Sequence, residues 1–374
     1  MKKILAIALV AVMALCMFSC GGGNVKNFAE NNKEYFIGGT GPLTGDASSY
    51  GISVRNGAML AVKEINAAGG LNGKTFKFDM KDDQAAADKA SAAYDQLFEA
   101  GMQISFGSVT SGSCEAFAAK AVGDNLFFMT PSASADVCIK NPNAFRVCFG
   151  DPQQGEMAAE ELSKNYTKIG AIYDESDTYS SGLYVAFESK MKELGVSYTV
   201  KTFTSENNRD FSAQVEALKD CDVIFLPIYY TEAGLIAKTA AAKGCTAVLF
   251  GCDGLDGIAD QVDETVTNTI KYITPFDVNS TDKNVAAFVA AYEKEYGVKP
   301  DQFAADGYDV VMSIFEAMKK AGVNDVTIEP GALCDIVKKT ITANDFEYVG
   351  VTGKMTWSES GAVSKTPIIV ELGK

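Results

Sequence analysis

Short apolar runs alternate with segments of helical period along this chain, and the alternation starts twice. Tyr35-Phe36-Ile37 reads as a first strand. Val54, Ala58, Ala61, Val62 and Ile65 then share one helical face, which stops at Gly69-Gly70. Asn72-Gly73 turns into Phe76, Phe78 and Met80, which alternate as strand residues do. A helix through Ala90, Ala93 and Leu97 ends at Gly101, and Ile104-Ser105-Phe106 and Leu126-Phe127-Phe128-Met129 are further buried strands. The rhythm restarts after Gly150-Asp151-Pro152. A helix from about Gln153 leads to Ile169–Tyr173, and a helix near Gly182 to Leu194 precedes Val223–Leu226. A helix from Ala233 to Ala242 precedes Ala247–Phe250. Helices between successive strands make those strands parallel neighbours, which predicts an α/β fold of doubly wound sheets covered on both faces. Past Thr274-Pro275 come helical stretches, Val285 to Tyr296 and Phe303 to Ala321, then short strands around Val349 to Trp357 and Ile368 to Val370. Two rounds of one pattern predict two lobes. Residues 34–149 with 278–347 form the first, and residues 150–275 with 350–374 the second. The chain then crosses between lobes near Gly150-Asp151, Pro275 and Gly350, a three-crossing hinge.

The N-terminus carries a different signal. Lys2 and Lys3 precede an apolar run from Ile4 to Phe18, then Ser19-Cys20 and three glycines. A basic start, a short apolar stretch and a small residue before the cut describe a secretory signal peptide over residues 1–19. The run is shorter than the ~20 residues of a spanning helix. Cys20 after that small residue is similar to the lipobox of bacterial lipoproteins, in which the cysteine sulfur receives a diacylglycerol. Polar residues 20–33 then read as a flexible tether. These readings place the chain outside the cytoplasm, lipid-anchored on the outer face of the bacterial cytoplasmic membrane or periplasmic.

Charge and residue absences narrow the function. Losing Lys2 and Lys3 takes the formal net charge from −15 to −17, which argues against a nucleic-acid partner and for a soluble monomer. There is no histidine, which removes Ser-His-Asp and Cys-His catalysis, most zinc sites and the commonest general base. Seven cysteines follow Cys20, none in a Cys-x-x-Cys pair, so no metal or redox site is expected. An odd number cannot all pair internally; Cys138 with Cys148 and Cys221 with Cys245 are conceivable bridges. Gly38-Gly39-Thr40-Gly41-Pro42-Leu43-Thr44-Gly45 departs from the dinucleotide fingerprint in spacing. No acidic residue ends a second strand about 20 residues on, as ribose recognition needs, and Asp82 and Asp83 come much later, so no cofactor is expected. The glycines instead suggest a loop that turns tightly above the sheet and meets a ligand.

A series of motifs is familiar. Gly41-Pro42-Leu43-Thr44-Gly45, Tyr50-Gly51, Asn56-Gly57-Ala58 and Glu64-Ile65-Asn66-Ala67-Ala68-Gly69-Gly70-Leu71-Asn72-Gly73-Lys74 stand in order. Phe106-Gly107-Ser108 to Ser111, Thr130–Ser134, Tyr173-Asp174 to Gly182, Gly251–Gly254 and Trp357 continue the series. The chain resembles the leucine/isoleucine/valine-binding proteins, the class I periplasmic-type binding proteins that feed branched-chain amino acid ABC importers. The resemblance implies two Rossmann-like lobes, a small-molecule amino acid held between them, delivery to ABC permease subunits, and no catalysis.

An amino acid offers a carboxylate and an ammonium, each of which needs fixed partners once two lobes strip its water. A carboxylate suits hydroxyls and backbone N–H groups at helix N-termini. Ser111 lies where a strand gives way to a helix, and Ser132 and Ser134 are expected in the same situation after the next strand. The resemblance implies that Ser111 and Ser134 hold the ligand carboxylate, with Ser132 contributing its backbone. It assigns Asp253, where many relatives carry Glu, to the ammonium. It assigns the rings of Tyr50, Tyr179 and Tyr229 to covering the ligand, and Phe303 to lining the pocket. Bland readings stand beside these: serine N-caps, a turn aspartate beside glycine, and aromatic core packing. Ligand alternatives are an amide, a urea or a carboxylic acid. Functional alternatives are a Ser-Lys hydrolase, for which no G-x-S-x-G elbow exists, and a ligand-sensing receptor module, which would need a fused output domain that this sequence does not show.

Overall fold

The computed structural model describes residues 29–372. The expected signal peptide and Cys20 lie outside them. The described end of the expected tether is fixed rather than free. Ala29 is buried, and the Asn32 side-chain amide donates to the Gly101 carbonyl at 2.8 Å.

The first lobe is built on β1 (Tyr35–Gly41), β2 (Phe76–Asp82), β3 (Ile104–Gly107), β4 (Phe128–Thr130) and β5 (Ala144–Arg146). They form one parallel sheet in the order β2-β1-β3-β4-β5. Between them run α1 (Ser48–Ala67), α2 (Ala87–Glu99) and α3 (Ser111–Ala121). Gly38, Gly39 and Gly41 lie within β1 rather than in a loop. A Cβ on Gly39 would stand 2.4 Å from the Phe106 ring, so this glycine makes room for the core of the sheet. After Thr130 the chain forms only a short turn of 3-10 helix at Asp136–Ile139. Ser132 and Ser134 therefore do not precede an α-helix, as the sequence pattern had suggested.

The second lobe repeats the winding. It contains α4 (Asp151–Asn165), β6 (Ile169–Asp174), α5 (Thr178–Leu194), β7 (Thr199–Phe203), α6 (Ser212–Leu218), β8 (Val223–Leu226), α7 (Tyr230–Lys243), β9 (Val248–Gly251) and β10 (Ile270–Thr274). Its strand order from β7 is β7-β6-β8-β9-β10, the same as in the first lobe. In each lobe the order reverses beside the first strand, and the two open crevices at those switch points face each other. Asp177 caps α5, accepting from the Ser180 amide at 2.8 Å, and Gly195 ends it at φ 68°.

The chain then returns to the first lobe as α8 (Lys283–Tyr296), α9 (Gln302–Lys320) and α10 (Pro330–Ile341). A small antiparallel sheet follows, of β11 (Tyr348–Gly350), β12 (Gly353–Trp357) and β13 (Val363–Ser364). It also belongs to the first lobe. Trp357 Nε1 donates to the Arg146 carbonyl at 2.8 Å, and the Val351 and Thr352 amides donate to the Asp309 carboxylate. Only β14 (Ile368–Glu371) rejoins the second sheet, antiparallel to β10. The third crossing thus falls at residues 365–367, beyond the Gly350 that the sequence suggested, because the Asp309 and Arg146 hydrogen bonds hold the intervening strands to the first lobe. Lys365 anchors that crossing through a buried ion pair with Asp306 of α9 at 3.0 Å.

Neither conceivable cysteine bridge is present, and all seven described cysteines are free thiols. Cys138 is instead occupied as a donor to the Ser111 carbonyl at 3.5 Å.

Candidate functional site

The strand ends of both lobes deliver their loops to one interlobe chamber. Its wall includes Tyr50 from the first turn of α1, Val109, Thr110 and Ser111 at the start of α3, and Ser132 after β4. The second lobe adds Tyr179 from α5, Tyr229 ahead of α7, and Asp253-Gly254 after β9; Phe303 of α9 completes it. With the lobes in this position the chamber is narrow, a cavity of about 10 Å³, room for about one water. Seven of the eight residues expected at the site therefore line it; Ser134, fully buried, does not.

The lobes are closed over this chamber. Tyr50 links them, its hydroxyl donating to the Gly254 carbonyl at 2.5 Å and accepting from the Tyr230 amide at 2.9 Å. The Gln302 side-chain amide donates to the Asp253 carbonyl at 2.8 Å, again from lobe to lobe. The rings form a continuous wall. Tyr179 stacks on Tyr229 with centroids 4.9 Å apart, and Tyr50 stands 4.4 Å from Phe303 and 5.6 Å from Tyr229.

Asp253 is the charged group of the chamber. Its Oδ1 accepts from the Tyr179 hydroxyl at 2.6 Å and from the Gly254 amide at 2.9 Å. Its backbone amide donates to Gln154 Oε1 at 3.0 Å, so the loop is held on both sides. Burial pushes the carboxyl up to about 6, although the Tyr179 and Gln154 hydrogen bonds oppose that rise.

Opposite it, α3 presents an N-terminus that no side chain caps. Thr110 holds the N-cap position with its hydroxyl buried and unpartnered. Such an end combines open N–H groups with the positive pole of the helix dipole, an arrangement suited to an anion. Ser111 follows as the first helical residue, its hydroxyl accepting from the Ala135 amide at 3.4 Å. The Ser132 hydroxyl is already committed, donating to the Val109 carbonyl at 2.7 Å.

Sequence reasoning missed Thr110, Gln154 and Gln302. Thr110 had a signal, a threonine immediately before an expected helix start. The two glutamines had none, since each acts by fixing the Asp253 loop from a distant part of the chain.

Residues 34–371 match the periplasmic binding protein family. The chain is 29% identical over 337 residues to the Leu/Ile/Val-binding protein BraC3 of Rhizobium johnstonii, across 87% of this chain and 88% of that protein. Among solved structures it resembles the branched-chain amino acid transporter substrate-binding protein LivJ of Streptococcus pneumoniae in complex with isoleucine. There the TM-score is 0.78 and the identity 28%, over 91% of this chain and 100% of that one. It shares its fold with a solute-binding protein of an ABC transporter from R. palustris in complex with benzoate, at TM-score 0.79 and 20% identity, over 91% and 96% of the two chains. The chain belongs to the periplasmic binding protein family, the extracytoplasmic solute-binding components of transporters, which are not enzymes, and stands with its Leu/Ile/Val-binding proteins.

Proposed function

We propose that this protein captures an α-amino acid with a branched-chain or other apolar side chain and delivers it to an ABC importer. The observation that carries this reading is a pairing of opposites. A buried carboxyl, Asp253, and the uncapped N-terminus of α3 stand on two lobes around one chamber. An ammonium at the first and a carboxylate at the second would satisfy both, leaving the side chain among Tyr50, Tyr179, Tyr229 and Phe303. Ser111 contributes at the carboxylate end. Ser134 supports that loop from behind rather than touching the ligand. A carboxylic acid such as benzoate would leave Asp253 unpaired, which disfavours it.

Isothermal titration of the purified protein with the twenty amino acids, benzoate and urea tests this reading. Binding of apolar amino acids is expected, and no binding of benzoate or urea. Asp253→Ala should weaken that binding at least tenfold, because removing one partner of a buried charge pair costs ~2–5 kcal/mol. Ser111→Ala should cost less, since backbone donors remain. Tight binding of benzoate with no response to any amino acid would overturn the assignment. The anchor belongs to the same proposal: Cys20 carries the lipid, the protein works as a tethered monomer, and a mature mass without diacylglycerol would remove it.

A further inference from the structure

A second cavity opens directly outside the first. It is an interlobe groove of about 400 Å³ that merges with solvent. Thr110 and Tyr229 line both spaces and stand between groove and chamber. Four carboxylates line the groove: Asp46 from the first lobe, and Asp174, Asp177 and Glu232 from the second. No lysine or arginine is among its lining residues. Arg209 reaches Asp46 from the adjoining surface and its charge also acts on Glu232, which leaves Asp174 and Asp177 without a basic partner in the groove.

Two features apart from the acids point to a ligand. Thr110 is 5% exposed, and its hydroxyl, at the junction of the two spaces, has no hydrogen-bond partner. Tyr229 adds an aromatic ring to the wall, and ring faces attract cations. Burial raises the Asp177 carboxyl to about 6 and raises that of Glu232, so negative charge here is under strain that a cation would relieve.

The groove suits an organic cation better than a metal ion. One oxygen of each second-lobe acid is already engaged: Asp174 with the Ser176 amide, Asp177 with the Ser180 amide, Glu232 with the Asn208 side chain. Among the described residues no three metal-ligating acids, cysteines or histidines converge. Dispersed carboxylates beside an aromatic ring match an alkylammonium or guanidinium group, which takes several hydrogen bonds over a wide angle.

We propose that the groove is a subsite for a positively charged far end of the ligand, so that the preferred ligands include α-amino acids with a long, apolar stem ending in an ammonium. This rests on the α-amino acid reading of the inner chamber. The head group would sit between Asp253 and α3, the stem among the tyrosines, and the terminal cation past Thr110 and Tyr229.

Lysine and norleucine test the subsite, because they share the stem and differ in the terminal ammonium. Titration calorimetry at low ionic strength should show lysine binding at least tenfold more tightly than norleucine. In the variant Asp177→Asn with Glu232→Gln, lysine should weaken at least tenfold while norleucine holds its affinity. Asparagine caps a helix as well as aspartate does, and glutamine keeps an oxygen for Asn208. Retained norleucine binding reports that the variant is folded. Equal or weaker binding of lysine in the wild type, or a lysine preference that survives in the variant, would overturn the subsite. If leucine and norleucine bind without any gain for lysine, the subsite fails and the inner-chamber reading stands. If none of the three binds, the inner-chamber reading fails with it.

Discussion

Asp253 carries a carboxyl whose ordinary value of 3.8 is lifted to about 6, with desolvation as the largest cause. The sign of its effect differs between stability and binding. For folding, a raised carboxyl favours the protonated form. Its contribution is fully present below the ordinary value and is lost as pH rises through about 6. Asp177 at about 6 and Asp306 at about 7 act in the same direction. For binding, an ammonium pairs with the ionised carboxylate, so a proton competes with the ligand. The affinity for leucine should therefore be level above about pH 6 and fall about tenfold per unit below it. Titrations from pH 4.5 to 8 measure this, and a constant dissociation constant across that range would remove Asp253 from the ammonium site. Much of this site was legible in the sequence, since Tyr50, Ser111, Tyr179, Tyr229, Asp253 and Phe303 sit on motif positions or beside strand ends. Ser134 was not. Its spacing after an apolar run is the same whether an α-helix or a short 3-10 turn follows, and here the 3-10 turn follows.

Among elements, α1 and α9 cross with their backbones in near contact. A Cβ on Gly57 of α1 would stand 1.9 Å from the Ala304 carbonyl oxygen of α9, and one on Gly307 would stand 2.4 Å from the Val54 carbonyl oxygen. The obstacle in both cases is backbone, so a side-chain rotation cannot relieve it. Overpacking of this kind typically costs ~1–3 kcal/mol. Gly57→Ala should lower stability by an amount in that range, measured by urea unfolding. An unchanged midpoint would show that the helices separate at no cost. The helical faces of α1 and α9 were readable because buried residues recur at helical spacing, whereas the glycine contact joins segments far apart in sequence. The strands that went unread share a different cause. β7 is an edge strand with its first two residues exposed, and β5 is three residues long and ends in Arg146, so neither leaves an apolar run. β10, Ile270–Thr274, has only half-buried residues at Lys271 and Tyr272, which blurs its signal.

At the scale of the molecule, two lobes of the same strand order meet through three crossings and a few polar contacts. The third crossing is pinned by Lys365 against Asp306, both essentially buried, so that strand has a fixed seat on α9 about which the lobes can turn. Closure is held by several interlobe bonds, among them Gln302 to the Asp253 carbonyl and Tyr50, whose one hydroxyl joins the Gly254 carbonyl and the Tyr230 amide of the opposite lobe. Opening the chamber breaks these bonds and exposes both lobes to water, where the same groups hydrate. A ligand bridging Asp253 and α3 shifts the balance toward the closed form by adding contacts found only there. Solution X-ray scattering should show the radius of gyration falling when leucine is added to saturation. Tyr50→Phe leaves an amide and a carbonyl unpaired only in the closed form, at ~1–3 kcal/mol. That variant should therefore be more open without ligand, bind leucine at least fivefold more weakly, and still close at saturation. Identical scattering with and without leucine, for a wild type shown to bind it, would mean that the lobes do not move as a hinge.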